Sequence, residues 1–174
     1  MYAYSLDIVS IIVTGAGQAV VNELDELGAG VDRVCLLVPG GIAWDECDCG
    51  QLAQTVTNVV ASNNFPTPAG DAPQTPCGPN QIIVSVTLSL VRCVHVSHDN
   101  GDPPECADLL NDALQLERDR FTVRRELRCY LRNLYDQNLL TGFSIGNATS
   151  VGPEGACAGV EVSYSFGIVN NGCC

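Results

Sequence analysis

Residues Gln81 to Val96 alternate apolar and polar side chains over the length of a long strand, and few folds have room for such a stretch. Ile82, Val84, Val86, Leu88, Leu90, Val94 and Val96 fall on one parity; Ser85, Thr87, Ser89, Cys93 and His95 fall on the other. A period of two is the pattern of a strand with one buried face. At about 3.3 Å per residue the run spans roughly 50 Å, more than most strands reach. It is therefore either bent or carried beyond its sheet as an arm, and the rest of the chain has to cover its apolar face.

Two helical stripes can do so. Val9, Val13, Ala16, Val20, Leu24 and Leu27 recur at threes and fours, which predicts a helix over Ser5 to Leu27, with Ser5 as N-cap and Gly28 and Gly30 as stops. Gly15 and Gly17 interrupt it at about 1 kcal/mol each relative to alanine. They read either as points of close packing or as a phosphate-binding loop, and the latter lacks the preceding strand and lysine of a P-loop. Ala113, Leu116, Val123, Leu127, Tyr130 and Leu134 predict a second helix from Ala107 to about Tyr135, with Arg120 breaking its core stripe.

Between and after the helices lie the other strands. Val31 to Val38 is a short apolar run stopped by Pro39-Gly40-Gly41, and Gln51 to Val60 alternates. Residues 62–80 hold five prolines and read as a long loop, of a length that is usually functional or disordered. Gln137 to Gly155 is rich in Gly, Asn, Ser and Thr and also reads as loop. Val160, Val162, Tyr164, Phe166 and Ile168 alternate as a last strand, and residues 170–174 form a tail. The expected fold is α+β, in the order α-β-β-β-α-β. It is a single domain over residues 1–174, with a mostly antiparallel sheet of about four strands carrying both helices on one face.

Charge narrows the function. The chain has a formal charge of −12 and contains no lysine; all eight basic residues are arginines. Binding nucleic acid through its phosphates depends on neutralising them, so this chain is poorly suited to it. Six of the arginines lie between residues 118 and 132. Arg120, Arg124, Arg128 and Arg132, four apart, form a ridge along the second helix, where like charges repel by a few tenths of a kcal/mol per pair. The ridge is either a solvated face or a surface that meets acidic groups of another copy. Positive charge concentrated on one helix of an acidic protein suits head-to-tail association.

Ten cysteines are many for a cytosolic chain. Yet Met1 to Ser10 has no basic n-region and reads as no secretory signal, and the apolar run Ile8 to Val13 is too short to span a bilayer. A component made in the cytosol that works in an oxidising place, such as a virion, reconciles the two. If the strands flanking the 62–80 loop pair with Ala61 near Ile82, Cys49 comes opposite Cys93 or Val94. Cys47, Cys49, Cys93 and Cys106 then gather at one end of the sheet. Disulfides, free thiols or a four-thiolate zinc site could use such a cluster; the zinc reading lacks the usual two C-x₂₋₄-C pairs. Cys93, His95 and His98 look like a ligand set but read as a surface group at a strand end. No nucleophile elbow or carboxylate pair points to an enzyme.

Several blocks carry a resemblance. Arg33-Val-Cys-Leu-Leu-Val-Pro-Gly-Gly-Ile-Ala-Trp-Asp-Glu-Cys-Asp-Cys-Gly-Gln-Leu52, Val91-Arg-Cys93, Cys106-Ala-Asp-Leu109 and Val151-Gly-Pro-Glu-Gly-Ala-Cys157 resemble head-to-tail connector proteins of tailed phages that infect actinobacteria, above all their tail terminators. The resemblance runs from about residue 6 to 169. It implies a structural virion protein at the head–tail junction, assembled in the host cytoplasm and without enzymatic activity, cofactor or membrane. It further implies a ring of identical subunits, six in tail terminators, that caps the tail tube, ends its growth and docks to the head connector. The implied partners are further copies of the chain, the major tail tube protein and the connector or stopper protein, with DNA passing through the lumen. A stopper or adaptor ring at the same junction is the nearest alternative, and a cysteine-based metal-binding module the next. A lumen lined by carboxylates would repel DNA and let it slide; Asp45, Glu46 and Asp48 are candidates for that lining.

Overall fold

The computed structural model describes residues 2–40, 50–70, 80–97 and 102–169, with side chains from Asp7 onward. The elements are α1 (Tyr2–Glu26), β1 (Arg33–Cys35), β2 (Gln51–Asn64), β3 (Thr67–Pro68), β4 (Gln81–Cys93), α2 (Cys106–Asp136), β5 (Gly142–Glu154) and β6 (Cys157–Val169). They build one six-stranded sheet in the order β1-β2-β4-β6-β5, with β3 paired to β2 beside that path. The class is α+β, as the alternation and the two helical stripes imply. The sheet differs from the expected four strands: β3 and β5 are additional, and β1 runs parallel to β2 while the other pairs are antiparallel.

β4 is the central strand. On its even-numbered parity Val84, Val86, Leu88 and Leu90 are all fully buried, each contributing about 1.5–3 kcal/mol through removal of apolar surface from water. They face the same side as their register partners on β6, Phe166, Tyr164, Val162 and Val160. Both helices pack there in one cluster, α1 through Val13, Ala16, Val20 and Leu24, α2 through Val123, Leu127 and Leu131. The other sheet face carries small polar side chains in rows, Thr55–Thr87–Ser163 and Asn58–Ser85–Ser165–Ser144, and among the described residues no helix packs on it. β4 ends at Cys93, so Val94 to Val96 do not prolong it. The core parity is continued at position 92 by an arginine.

The β2–β4 pairing has the expected register, with Ala61 opposite Ile82. A bulge between Val56 and Asn58 then shifts it, so that Gln51 faces Val91. β2 continues through Ser62 to Asn64, and Thr67–Pro68 turns back on it. Part of the stretch read as a 62–80 loop is therefore sheet, while residues 71–79 and the tail 170–174 lie outside the described residues.

α1 begins before Ser5, so that residue is not its N-cap. Its end is as the glycines imply: Gly28 has φ +67°, its N–H donates to Asp25 O at 3.0 Å, and the N–H of Ala29 donates to Leu24 O at 2.8 Å. This paired closure satisfies the last carbonyls of a helix and needs a left-handed residue, which glycine adopts without strain. The internal glycines are packing points. A Cβ on Gly15 would stand 2.0 Å from Tyr130 Oη of α2, and one on Gly17 2.3 Å from Gln54 Nε2.

Candidate functional site

Two buried polar networks fix the helix layer to the sheet. At the end of β4, Arg92 turns into the helix face. Its Nε donates to Asp119 Oδ2 at 2.8 Å and its Nη2 to Asp119 Oδ1 at 3.1 Å. Nη1 donates to Gly30 O at 2.7 Å and Nη2 also to Ala29 O at 2.6 Å. Gln115 Nε2 donates to the same carboxylate at 3.0 Å. Arg92 and Asp119 are 8% and 1% exposed. One guanidinium thus ties β4, α2 and the α1–β1 turn together, with its charge matched and its donors used, as a buried ion needs. In the sequence Arg92 stands out only within the Val91-Arg-Cys93 block, with no role of its own.

In the centre of the layer Gln54, fully buried, donates from Nε2 to Val13 O at 2.8 Å and Leu36 O at 3.0 Å. Its Oε1 accepts from Tyr164 Oη at 2.7 Å. The side chain therefore bridges α1, the segment after β1, and β6. Burial pushes the Tyr164 phenol well above its ordinary range, and neighbouring Tyr130 adds to the effect. Because the folded state holds that proton more tightly than the unfolded chain, the contribution is complete below a pH of about 10, the ordinary tyrosine value, and is lost as pH rises above it. Urea midpoints are expected to decline above pH ~10. Tyr164→Phe, less stable at pH 8, should show a shallower decline; an equally steep one would assign the alkaline loss to other groups.

The arginine ridge divides once side chains are placed. Arg120 is turned toward the sheet: it donates to Ser150 Oγ of β5 and pairs with Glu117 at 3.1 Å. Its contacts are thus within the chain, where α2 passes over β5. Arg132 pairs with Asp136 at 2.9 Å, one turn along the helix. Arg125, which lies off the ridge, pairs with Glu126 at 2.7 Å and with Glu23 of α1; these carboxylates raise the guanidinium above its ordinary range. Arg124 and Arg128 are exposed and have no ion-pair partner among the described residues. The outward part of the ridge is thus Arg124, Arg128 and Arg132.

Of the four cysteines expected to cluster, Cys47 and Cys49 lie outside the described residues, as do the carboxylates Asp45, Glu46 and Asp48 and the second histidine, His98. Cys93 is disulfide-bonded, and so is Cys157, its register partner across β4 and β6. Cys157 is the member of this end of the sheet that sequence reasoning missed, because it is the first residue of a strand whose register no local pattern fixes. Cys106 is a free, exposed thiol at the first residue of α2, and Cys35 and Cys129 are also free. His95 Nδ1 lies 3.1 Å from both carboxylate oxygens of Asp112, whose Oδ2 also accepts from the His95 N–H at 2.7 Å. The histidine therefore closes β4 onto α2 at the surface. Among the described residues no group of three or more His, Cys, Asp or Glu is placed to hold a metal, and no helix is long and apolar enough to cross a membrane.

What the described site residues offer is a helix face whose Arg124 and Arg128 have no ion-pair partner among the described residues, on a helix layer tied to the sheet by the two buried networks. Compared with known protein families and with curated proteins, the chain matches none.

Proposed function

We propose that this chain is a structural subunit of a homo-oligomeric ring at the head–tail junction of a phage virion, where it caps the tail tube, ends its polymerisation and docks to the head connector, with DNA passing through the ring. The sequence resemblance to tail terminators motivates the reading. The observation that carries it is the separation of charge. An acidic chain with net charge −12 keeps Arg124 and Arg128 exposed on one long helix, with no ion-pair partner among the described residues, and a neighbour of the same composition has carboxylates to offer them. An adaptor or stopper ring would use the same surface. A thiolate metal module fits less well, since Cys93 is a half-cystine rather than a thiolate.

The test is to add the purified protein to polymerising tail tube protein and view the product by negative stain. Rings at tube ends and shorter tubes are expected. Unaltered tubes, with the protein strictly monomeric, would sink the proposal, while binding to the head connector alone would transfer it to the stopper ring. In the same assay Arg124→Glu with Arg128→Glu should abolish ring formation. Unfolding free energy should shift by no more than about 0.5 kcal/mol, the usual range for exposed substitutions. Equal loss of folding and assembly would make the arginines an intramolecular feature.

A further inference from the structure

The outward face of α2 is not uniformly charged. Taking 100° per residue, the side chains on the face away from its buried positions Val123 and Leu127 are Leu110, Leu114 and Phe121, followed by Arg125 and Arg128, with Arg124 on the flank of that face. The three apolar residues are 59%, 51% and 74% exposed, an unusual density of large apolar side chains pointing at water. Leu114 and Phe121 themselves line a groove of about 440 Å³ between the helices, together with Leu24, Leu27, Thr122 and Arg118.

The other helix of the layer offers the complement. α1 contains no basic residue. Opposite its buried face it carries Ile11, which is 66% exposed, then Gln18 and Asn22, hydrogen-bonded to each other at 2.8 Å, and then Asp25 and Glu26, both exposed. The apolar-to-charged spacing agrees: Leu110 to Arg124 on α2 and Ile11 to Asp25 on α1 each cover about 21 Å at 1.5 Å per residue.

We infer that the α2 stripe Leu110–Leu114–Phe121–Arg124–Arg128 docks on the α1 stripe Ile11–Asp25–Glu26 of a second copy of this chain, with Phe121 as the anchor. This rests on the ring reading and specifies its interface. The two stripes differ, so the contact is heterologous: each copy uses α2 on one side and α1 on the other. Such a contact closes into a ring when the rotation per copy allows. Charge complementarity selects the partner, because the acidic stripe is on the same polypeptide and no foreign protein need supply it. An exposed aromatic residue on the wall of a groove, rimmed by charges, is the arrangement of an interface anchor.

The experiment uses the full chain and sedimentation or native mass spectrometry for self-association, with thermal unfolding in parallel. Phe121→Glu is expected to weaken association by about 30-fold or more, the effect of removing an interface anchor, with no lowering of the unfolding midpoint. Arg124→Glu/Arg128→Glu and Asp25→Arg/Glu26→Arg should each associate poorly alone. Mixed in equal amounts they should recover at least about tenfold, since each then meets a complementary face, and only a heterologous α2–α1 contact predicts this rescue. Rings that form normally with Phe121→Glu, or charge variants that no mixing restores, would overturn the interface and leave the ring reading standing. A Phe121→Glu protein that self-associates but no longer caps tubes would give the stripe to the tube protein instead. A wild-type chain that stays monomeric both free and on tail tubes would overturn the ring and this interface together.

Discussion

Asp119→Ala is expected to destabilise the protein by about 3–5 kcal/mol, the cost of leaving one member of a buried ion pair without its partner. The carboxylate is 1% exposed and holds three hydrogen bonds, two from Arg92 and one from Gln115. Without it the guanidinium keeps only the carbonyls of Ala29 and Gly30, which match its donors but not its charge. A loss of this size is a large share of the stability of an ordinary domain. Urea denaturation of the single variants and of Arg92→Met/Asp119→Leu checks it. The double variant removes both charges and should be far closer to wild type than either single change, because the desolvation cost of the pair disappears with the pair. If Asp119→Ala costs less than about 1 kcal/mol, the scale of an ordinary hydrogen bond, water reaches the arginine and the network is not the clamp between β4, α2 and the α1–β1 turn.

Gln54→Leu is the second. The substitution keeps roughly the same volume but removes both donors and the acceptor at the centre of the helix layer. Tyr164 Oη, 2.7 Å from Gln54 Oε1, is then a buried hydroxyl without a partner, and Leu36 O loses its 3.0 Å donor. Val13 O suffers least, since it sits in a helix and keeps its intrahelical bond. At about 1–3 kcal/mol for each orphaned buried group, the expected loss is roughly 2–4 kcal/mol. The change also leaves the notch at Gly17, shaped for the Gln54 amide, facing a methyl group. Tyr164→Phe in the Gln54→Leu background should then cost little or restore stability, although alone it destabilises. Additive losses in the double variant would show that the two side chains do not act as one unit.

The two networks also mark how far the sequence could be read. The alternation of Gln81 to Val96 gave the correct buried parity, and antiparallel pairing around the 62–80 segment put Ala61 opposite Ile82, whereas the bulge between Val56 and Asn58, which shifts the pairing by one residue, has no signal in the alternation. The helical stripes placed both helices to within three residues and on one sheet face. β5 was invisible for a physical reason. Register shifts between Ile145 and Ala148 and between Val151 and Glu154 interrupt its alternation, and its Gly, Asn and Ser content matches a loop. It is a strand because β6 offers it a hydrogen-bonding edge and Phe143, Ile145 and Ala148 reach the core. That is a tertiary reason, which β-propensity does not contain.

The arginines show the same division. Their spacing by four was legible, and so was the ridge. That Arg120 is taken up by Glu117 and Ser150, while Arg124 and Arg128 are left exposed without an ion-pair partner among the described residues, depends on β5 passing beneath α2. Likewise Arg92 and Asp119, 27 residues apart, meet only because α2 crosses the end of β4. Local sequence set the class of the fold, the central strand, its inward face and the surplus of cations on one helix, since these follow from periodicity and composition. Which polar groups are buried against each other, which cations turn to the sheet and which to the surface, and which cysteines stand opposite across the sheet were decided by the tertiary structure, because each depends on strands and helices that are distant in the chain and adjacent only after folding.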